Sequence, residues 1–214
     1  YLEVYGNIIN ADISVTHKKI RHAVGRTVSI YEDKIARGDD FTPRDYFYYG
    51  NELRENGQYK KAIEIYDKNL SMKNGWVEDK IFACIYKGDC YRYLSDKDNE
   101  LLSLFQSFQF SPPRAEACCR IGYNFQQRRE YGTAVFWYEL AVRQVPDPDR
   151  WSFIYPAYHT WYPHLQLCVC YYNLKDYEKS CYHNEQAGKY RPEDKHVQHN
   201  RTLFEKFNSN ESKS

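Results

Sequence analysis

The residues able to do chemistry gather at a few places. Cys168-x-Cys170 with His164 upstream, and His196 with His199 downstream, offer the thiolate and imidazole donors that zinc takes. On a helix, alternate positions point in different directions, so Cys168 and Cys170 cannot share one ion unless the helix unwinds. Cys118-Cys119 fails on the same ground. With Cys84, Cys90 and Cys181 the cysteines number seven, an odd count with no C-x-x-C pair. In the absence of a secretion signal they read as reduced, buried small hydrophobes of a cytosolic protein. No pattern for a catalytic Cys–His pair is present. Arg128-Arg129 and Lys60-Lys61 read as solvated charges in turns or at helix starts, and a glycine-rich phosphate loop is missing. The chain is expected to carry no complete active site and no cofactor of its own.

The totals narrow the partners. Thirty basic residues against 29 acidic ones give a formal net charge of +1, without the basic excess that marks a nucleic-acid or anionic-membrane binder. No apolar run approaches the roughly 20 residues that span a bilayer, and no signal peptide opens the chain. A cytoplasmic location is expected. Aromatic content is 17%, with 22 tyrosines, although the mean hydropathy is only −0.83. That combination suits thin helical layers in which tyrosine packs its ring and keeps its hydroxyl wet.

The elements that hold these residues repeat. Ile121-Gly122-x-x-Phe125 is followed by Tyr131-x-x-Ala134-x-x-x-Tyr138-x-x-Ala141-x-x-x-x-Pro146. Small and large residues three and four apart share one helix face, and Pro146 closes the unit. This is the tetratricopeptide pattern, in which alanine and glycine let two helices approach and aromatics fill the gap beside them. An earlier copy runs Tyr49-Gly50-x-x-Leu53, then Tyr59-x-x-Ala62-x-x-x-Tyr66; Gly50 precedes Ala62 by the same 12 residues that separate Gly122 from Ala134. Thr42-Pro43-Arg44-Asp45 predicts its start and Asn56-Gly57 its stop. A looser copy has Gly88 and Tyr91, then Leu101, Phe105 and Phe108 before Pro113, with one extra residue in the turn. The last runs Leu167-Cys168-x-x-Tyr171, then Tyr177-x-x-Ser180-x-x-x-Asn184-x-x-Ala187 to Pro192, with Cys168 as the small residue. A polar capping helix is expected around Glu193–Phe207. The expected fold is all-α: a right-handed superhelix of about four repeats plus a cap, over residues 41–208, with 209–214 as a disordered tail.

Between the third and fourth copies an insertion near Asp147–Pro163 carries Trp151, Phe153, Tyr155, Tyr158, Trp161 and Tyr162. It could be a binding face, with Trp151, Tyr155 and Trp161 as candidates, or a seal for a widened seam. If an inner groove binds a ligand, the first helix of each repeat should line it. The candidates there are Tyr46, Asn51, Arg54, Arg120, Asn124 and Gln127.

Residues 1–40 follow another pattern. Ala11-Asp12-Ile13-Ser14-Val15-Thr16-His17 alternates and is β-branched, as a strand would be; a helix over about Val28–Ala36 then ends at Gly38. A lone strand, with Tyr1 rather than Met in first position, leads to the expectation of a piece cut from a larger α/β protein.

Particular strings extend this reading. Ile13-Ser14-Val15-Thr16-His17, Arg26-x-x-x-Ile30-Tyr31, Pro43 through Leu53, Glu78-Asp79-Lys80-Ile81, Pro113 through Gly122, Phe136-Trp137-Tyr138-Glu139 and Pro163 through Cys170 together resemble the C-terminal tetratricopeptide region of bacterial family 2 glycosyltransferases. The resemblance runs to about Phe207. It implies an upstream GT-A domain that binds a nucleotide sugar through an Asp-x-Asp motif and a divalent metal, Mn or Mg, with a carboxylate as base for the acceptor hydroxyl. Residues 1–40 would then be the tail of that domain and a linker helix, and His17 a further metal or diphosphate contact acting only with that domain. The two Asp-x-Asp triplets present, Asp96-Lys97-Asp98 and Asp147-Pro148-Asp149, fall in inter-helix turns, where acids cap helices. On this reading the repeats serve recognition of a protein or glycan acceptor, or self-association, while chemistry lies elsewhere. The alternative is a stand-alone scaffold that binds a peptide or protein.

Overall fold

A computed structural model describes residues 26–146 and 154–211. The strand expected at 11–17, His17, the triplet at 147–149, Trp151 and Phe153 lie outside the described residues. Those described form helices and turns without a β-strand. α1 (Arg26–Ala36) comes first; it ends at Gly38 in the left-handed region, φ +75°. Four helical hairpins follow: α2 (Pro43–Glu55) with α3 (Tyr59–Ser71), α4 (Val77–Tyr93) with α5 (Lys97–Gln106), α6 (Ala115–Gln127) with α7 (Tyr131–Val142), and α9 (Trp161–Asn173) with α10 (Tyr177–Tyr190). A short α8 (Pro156–His159) lies between the last two hairpins, and α11 (Lys195–Glu211) covers the end of the stack.

Local chemistry sets the boundaries. Thr42 begins α2 with a reciprocal cap: its hydroxyl accepts from the Asp45 amide at 3.2 Å, and the Asp45 carboxylate accepts from the Thr42 amide at 3.0 Å. Asp96 and Asp176 start α5 and α10 by accepting the amides of Asn99 and Lys179. The turn inside every hairpin has one geometry. A left-handed residue stands at Gly57, Ser95, Arg129 and Lys175, and the next amide reaches back to the carbonyls of Leu53, Tyr91, Phe125 and Tyr171, the Schellman closure. In each hairpin that left-handed residue follows the small residue, Gly50, Gly88, Gly122 or Cys168, by the same seven positions.

This corrects the expected register of the second hairpin, which has no extra residue in its turn. Gly88 faces Leu104, at 3.1 Å from the position a Cβ would take, as Gly50 faces Tyr66 and Gly122 faces Tyr138. Leu101, Phe105 and Phe108 sit to the side of that contact. The position where Ala62 and Ala134 stand in the neighbouring hairpins holds Glu100, a buried carboxylate that accepts from Asn124 Nδ2 at 2.7 Å. A charged residue in an alanine position hid the pattern.

The small-against-large contacts build the core. Leu53, Tyr66, Ile85, Leu104, Ile121, Tyr138 and Leu167 are all fully buried, each contributing about 1.5–3 kcal/mol. In the fourth hairpin the same seam is polar: the Ser180 hydroxyl donates to the Cys168 carbonyl at 2.7 Å, and Asn184 donates to the Val197 carbonyl on α11 at 3.1 Å. α11 therefore closes the stack by hydrogen bonds as well as by Val197 and Phe204.

Candidate functional site

The first helices of the hairpins form the inner face, and its middle carries a buried charge cluster. On α4, Phe82, Tyr86 and Asp89 are four and three residues apart and so share one stripe. Asp89 takes a bidentate pair from Arg120 of α6, Nε at 2.8 Å and Nη2 at 3.0 Å. Arg92, one turn on, stands at 3.4 Å and Arg54 of α2 at 3.7 Å. Arg92 reaches Asp89 along its own helix, whereas Arg54 and Arg120 are brought to the same carboxylate by the stacking of the neighbouring repeats. Burial works against the Asp89 charge, but the charge and hydrogen bonds of Arg120 outweigh it and hold the carboxyl below the usual range. Burial likewise opposes the Arg120 charge, and the Asp89 carboxylate overrides that too, raising its pKa. Both stay ionised in the interior because each compensates the other.

An aromatic wall adjoins this cluster. The Arg54 guanidinium lies 4.1 Å from the centre of the Tyr86 ring, and Phe47 and Phe82 pack beside that ring. α8 then folds onto the wall. Tyr155 places its hydroxyl 2.8 Å from that of Tyr86, and its ring meets Phe82 edge-on at 6.1 Å. Tyr158 stacks under the Arg120 guanidinium at 5.1 Å. His159 Nδ1 is 3.3 Å from the Gln144 carbonyl, and its Nε2 is 3.7 Å from Glu116 on α6. The arrangement offers aromatic surface, guanidinium donors and hydroxyls along the first helices of three successive hairpins, α2, α4 and α6. Those groups suit the binding of a chain, and no nucleophile with a base accompanies them.

The residues expected from sequence scatter over this frame. Arg54, Arg120 and Tyr155 come together in the wall. Asn51 accepts from the Tyr66 hydroxyl at 2.8 Å and so serves packing between α2 and α3. Tyr46 packs on Phe41 toward α1. Asn124, expected to be exposed, is 1% exposed and bonds Glu100 and the Lys97 carbonyl in the seam with α5. Gln127 is exposed at the end of α6, where its carbonyl accepts from Lys97. Trp161 belongs to the seam with α10 and α11, under the Arg191 guanidinium at 4.6 Å. Within the insertion, Tyr158 and Tyr162 join the core of the third hairpin while Tyr155 reaches the wall; seal and face are thus divided between neighbouring residues. Phe82, Tyr86, Asp89, Glu116 and His159 were missed. Asp89 did carry a signal: a carboxylate directly after Gly88, the small residue of the packing seam, must find a cation there.

Of the remaining chemistry-bearing residues, six of the seven cysteines are buried, whereas His196 and His199 are exposed on α11. Among the described residues no three His, Cys, Asp or Glu side chains stand where they could share a metal. Burial pushes the thiols of Cys84, Cys90, Cys118 and Cys170 up to about 12. His164 and His183 stack with their Nδ1 atoms 2.9 Å apart, which requires one to donate and the other to accept. Asp96 is a helix cap and Asp98 pairs with Arg128 at 2.8 Å.

Helical hairpins with small-against-large seams, stacked so that their first helices line one face, make this fold a tetratricopeptide-type repeat. Solved structures agree. YrrB, described as a TPR protein with an unusual peptide-binding site, superposes with a TM-score of 0.61 at 18% identity over 84% of this chain and 84% of its own. PilF of Pseudomonas aeruginosa gives 0.62 at 14% identity over 82% and 72%. MamA of Desulfovibrio magneticus RS-1 gives 0.55 at 17% identity over 80% and 99%. At these identities the likeness is one of fold. No family model and no curated protein matches the sequence. Among the described residues no helix is long and apolar enough to cross a membrane.

Proposed function

We propose that this chain is an interaction scaffold that holds an extended segment of a partner protein along its inner face. The observation that carries this reading is the alignment of Arg54, Tyr86, Asp89 and Arg120 across three successive repeats. It combines flat aromatic surface with guanidinium donors on a rigid support, which is what recognition of a polypeptide main chain and its side chains uses. The peptide-binding site recorded for YrrB, a protein of similar fold, adds support.

A finer reading rests on the sequence strings alone. In a family 2 glycosyltransferase the scaffold would present a protein or glycan acceptor, or pair two copies, for an upstream domain that binds a nucleotide sugar and Mn or Mg. The comparisons add nothing to that reading, and the plain scaffold stands ahead of it. Nucleotide-sugar turnover by a longer gene product, absent from residues 1–214 alone, is its test.

The scaffold itself is tested by photo-crosslinking in the source cell. A benzophenone amino acid replaces Tyr123, half-buried on α6 beside Arg92, or Phe136, exposed on α7. A protein partner trapped from position 123 and not from 136, whose purified fragment binds this chain and loses affinity to Arg54→Gln, is the expected result. Trapping from position 136 alone, or from neither, removes the inner-face reading.

A further inference from the structure

Tyr155 occupies the inner face in a way that indicates what else could. Among the described residues of α8 and its lead-in, Tyr155 is the one whose ring meets α4. The next two aromatic residues differ from it: Tyr158 and His159 are wedged among α6, α7 and α9, with the His159 side chain only 7% exposed. Tyr155 is 40% exposed, held by a hydroxyl pair with Tyr86 and by ring edges against Phe82 and Tyr158. Its backbone is extended, φ −97° and ψ 97°, a conformation that the following Pro156 favours by excluding the helical region. The chain therefore lays one extended residue, Tyr155, on its own groove at the point where α8 begins.

The groove retains unused binding capacity beside that ring. Arg54 sits against Tyr86, yet its buried Nε has no hydrogen-bond acceptor. Two carboxylates stand near its other nitrogens, Asp89 at 3.7 Å from Nη1, already held by both arms of Arg120, and Glu55 at 3.8 Å from Nη2, and neither bonds Nε. A buried guanidinium N–H without an acceptor is unfavourable, and a carboxylate is the acceptor that answers it best.

Resting on the scaffold reading, we infer that the corner made by Phe82, Tyr86 and Arg54 is a subsite for a tyrosine next to an acidic residue in an extended partner segment, and that Tyr155 fills it until such a segment displaces it. The partner's tyrosine takes over the ring edge of Phe82 and the hydroxyl of Tyr86. Its neighbouring carboxylate accepts from Arg54, which Tyr155, flanked by Ile154 and Pro156, does not supply. Tyr155 thus sets a threshold that a plain aromatic segment does not exceed.

The probe is a phage-displayed library of random dodecapeptides, panned on the whole chain and on Tyr155→Ala. Affinities of the selected peptides are then read by fluorescence anisotropy. A melting curve confirms that Tyr155→Ala, a change at a half-exposed side chain, stays folded. Selected peptides should carry tyrosine beside Asp or Glu. They should bind Tyr155→Ala about fivefold tighter than the unmodified chain, because removing an internal competitor raises the fraction of open subsite. Arg54→Gln placed in the Tyr155→Ala background should abolish the preference for the acid while tyrosine is still selected. Peptides that lack tyrosine, or that bind both chains equally while protecting α4 and α6 from hydrogen exchange, overturn this subsite and leave the scaffold reading standing. Failure to select any peptide on either chain overturns both.

Discussion

Gly50 has no side chain because Tyr66 stands where one would go. A Cβ built on Gly50 would lie 2.6 Å from Tyr66 Cε1 and 2.8 Å from Cδ1, closer than carbon atoms approach without something moving. The ring has little freedom to retreat, since it is fully buried and its hydroxyl is tied to Asn51 at 2.8 Å. Two effects oppose each other in Gly50→Ala. The helix gains about 1 kcal/mol from alanine's propensity, whereas forcing a methyl into a filled core costs about 1–3 kcal/mol. With the ring held at both ends the cost should lie near its upper bound, for a net loss of about 1–2 kcal/mol. In a chain of this size that is a fall in Tm of about 2–8 °C. Gly132→Ala is the matched control: nothing lies within 4 Å of its Cβ position on α7, so only the propensity gain remains, about 1 kcal/mol. Urea unfolding followed by circular dichroism measures both. A third variant, Tyr66→Leu, imitates the Gly88–Leu104 pair; in its background Gly50→Ala should become neutral or stabilising, a coupling of about 1–3 kcal/mol. If Gly50→Ala proves as benign as Gly132→Ala in the native background, the ring is not confined and the account of the seam is wrong.

Other consequences can be checked separately. Lys175 holds φ +63° as an exposed non-glycine residue, so Lys175→Gly should stabilise the fourth hairpin by about 0.5–1 kcal/mol, read from the denaturation midpoint; a loss would mean the turn is relaxed as it stands. Asp89→Asn leaves Arg120 buried without its counter-charge and should cost about 3–5 kcal/mol, seen as a lower midpoint in urea; a cost under 1 kcal/mol would refute the clamp. Burial, aided by the His164 partner, lowers the His183 pKa from 6.5 to about 4. Between those values the unfolded chain binds more protons than the folded one, so this contribution is complete above pH 6.5 and shrinks as the pH falls toward 4. The Tm should accordingly drop across that window, and His183→Gln should flatten the slope; an unchanged slope would place the acid sensitivity elsewhere.

How far the sequence could be read depended on whether a residue type names its partner. The hairpins with Gly50 and Gly122 were legible because glycine, alanine and tyrosine at helical spacing admit one packing, and because Thr42-Pro43 and Asn56-Gly57 mark ends by local backbone chemistry. The second hairpin was misread by its turn and its register, since Glu100 fills an alanine position and Ser95 adopts the left-handed turn without being glycine. One is tolerated through a tertiary contact, since Asn124 from the next helix answers Glu100; the other is held by the same local backbone closure that serves Gly57. The inner face was partly legible. Arg54 and Arg120 could be placed on it from their helices, but nothing local shows that both converge with Arg92 on Asp89, a carboxylate 31 residues before Arg120.

The insertion marks the division most clearly. The sequence offered two places for its aromatics, a seam to seal or a groove to face, without choosing between them. Which aromatic did which was settled by where α8 lands, with Tyr158 in the core and Tyr155 on the Tyr86 wall. A tyrosine ring packs equally well in either place, so its residue type carries no address. The address comes from the packing of α8 against α6, α7 and α9, which brings the Tyr155 hydroxyl within 2.8 Å of that of Tyr86.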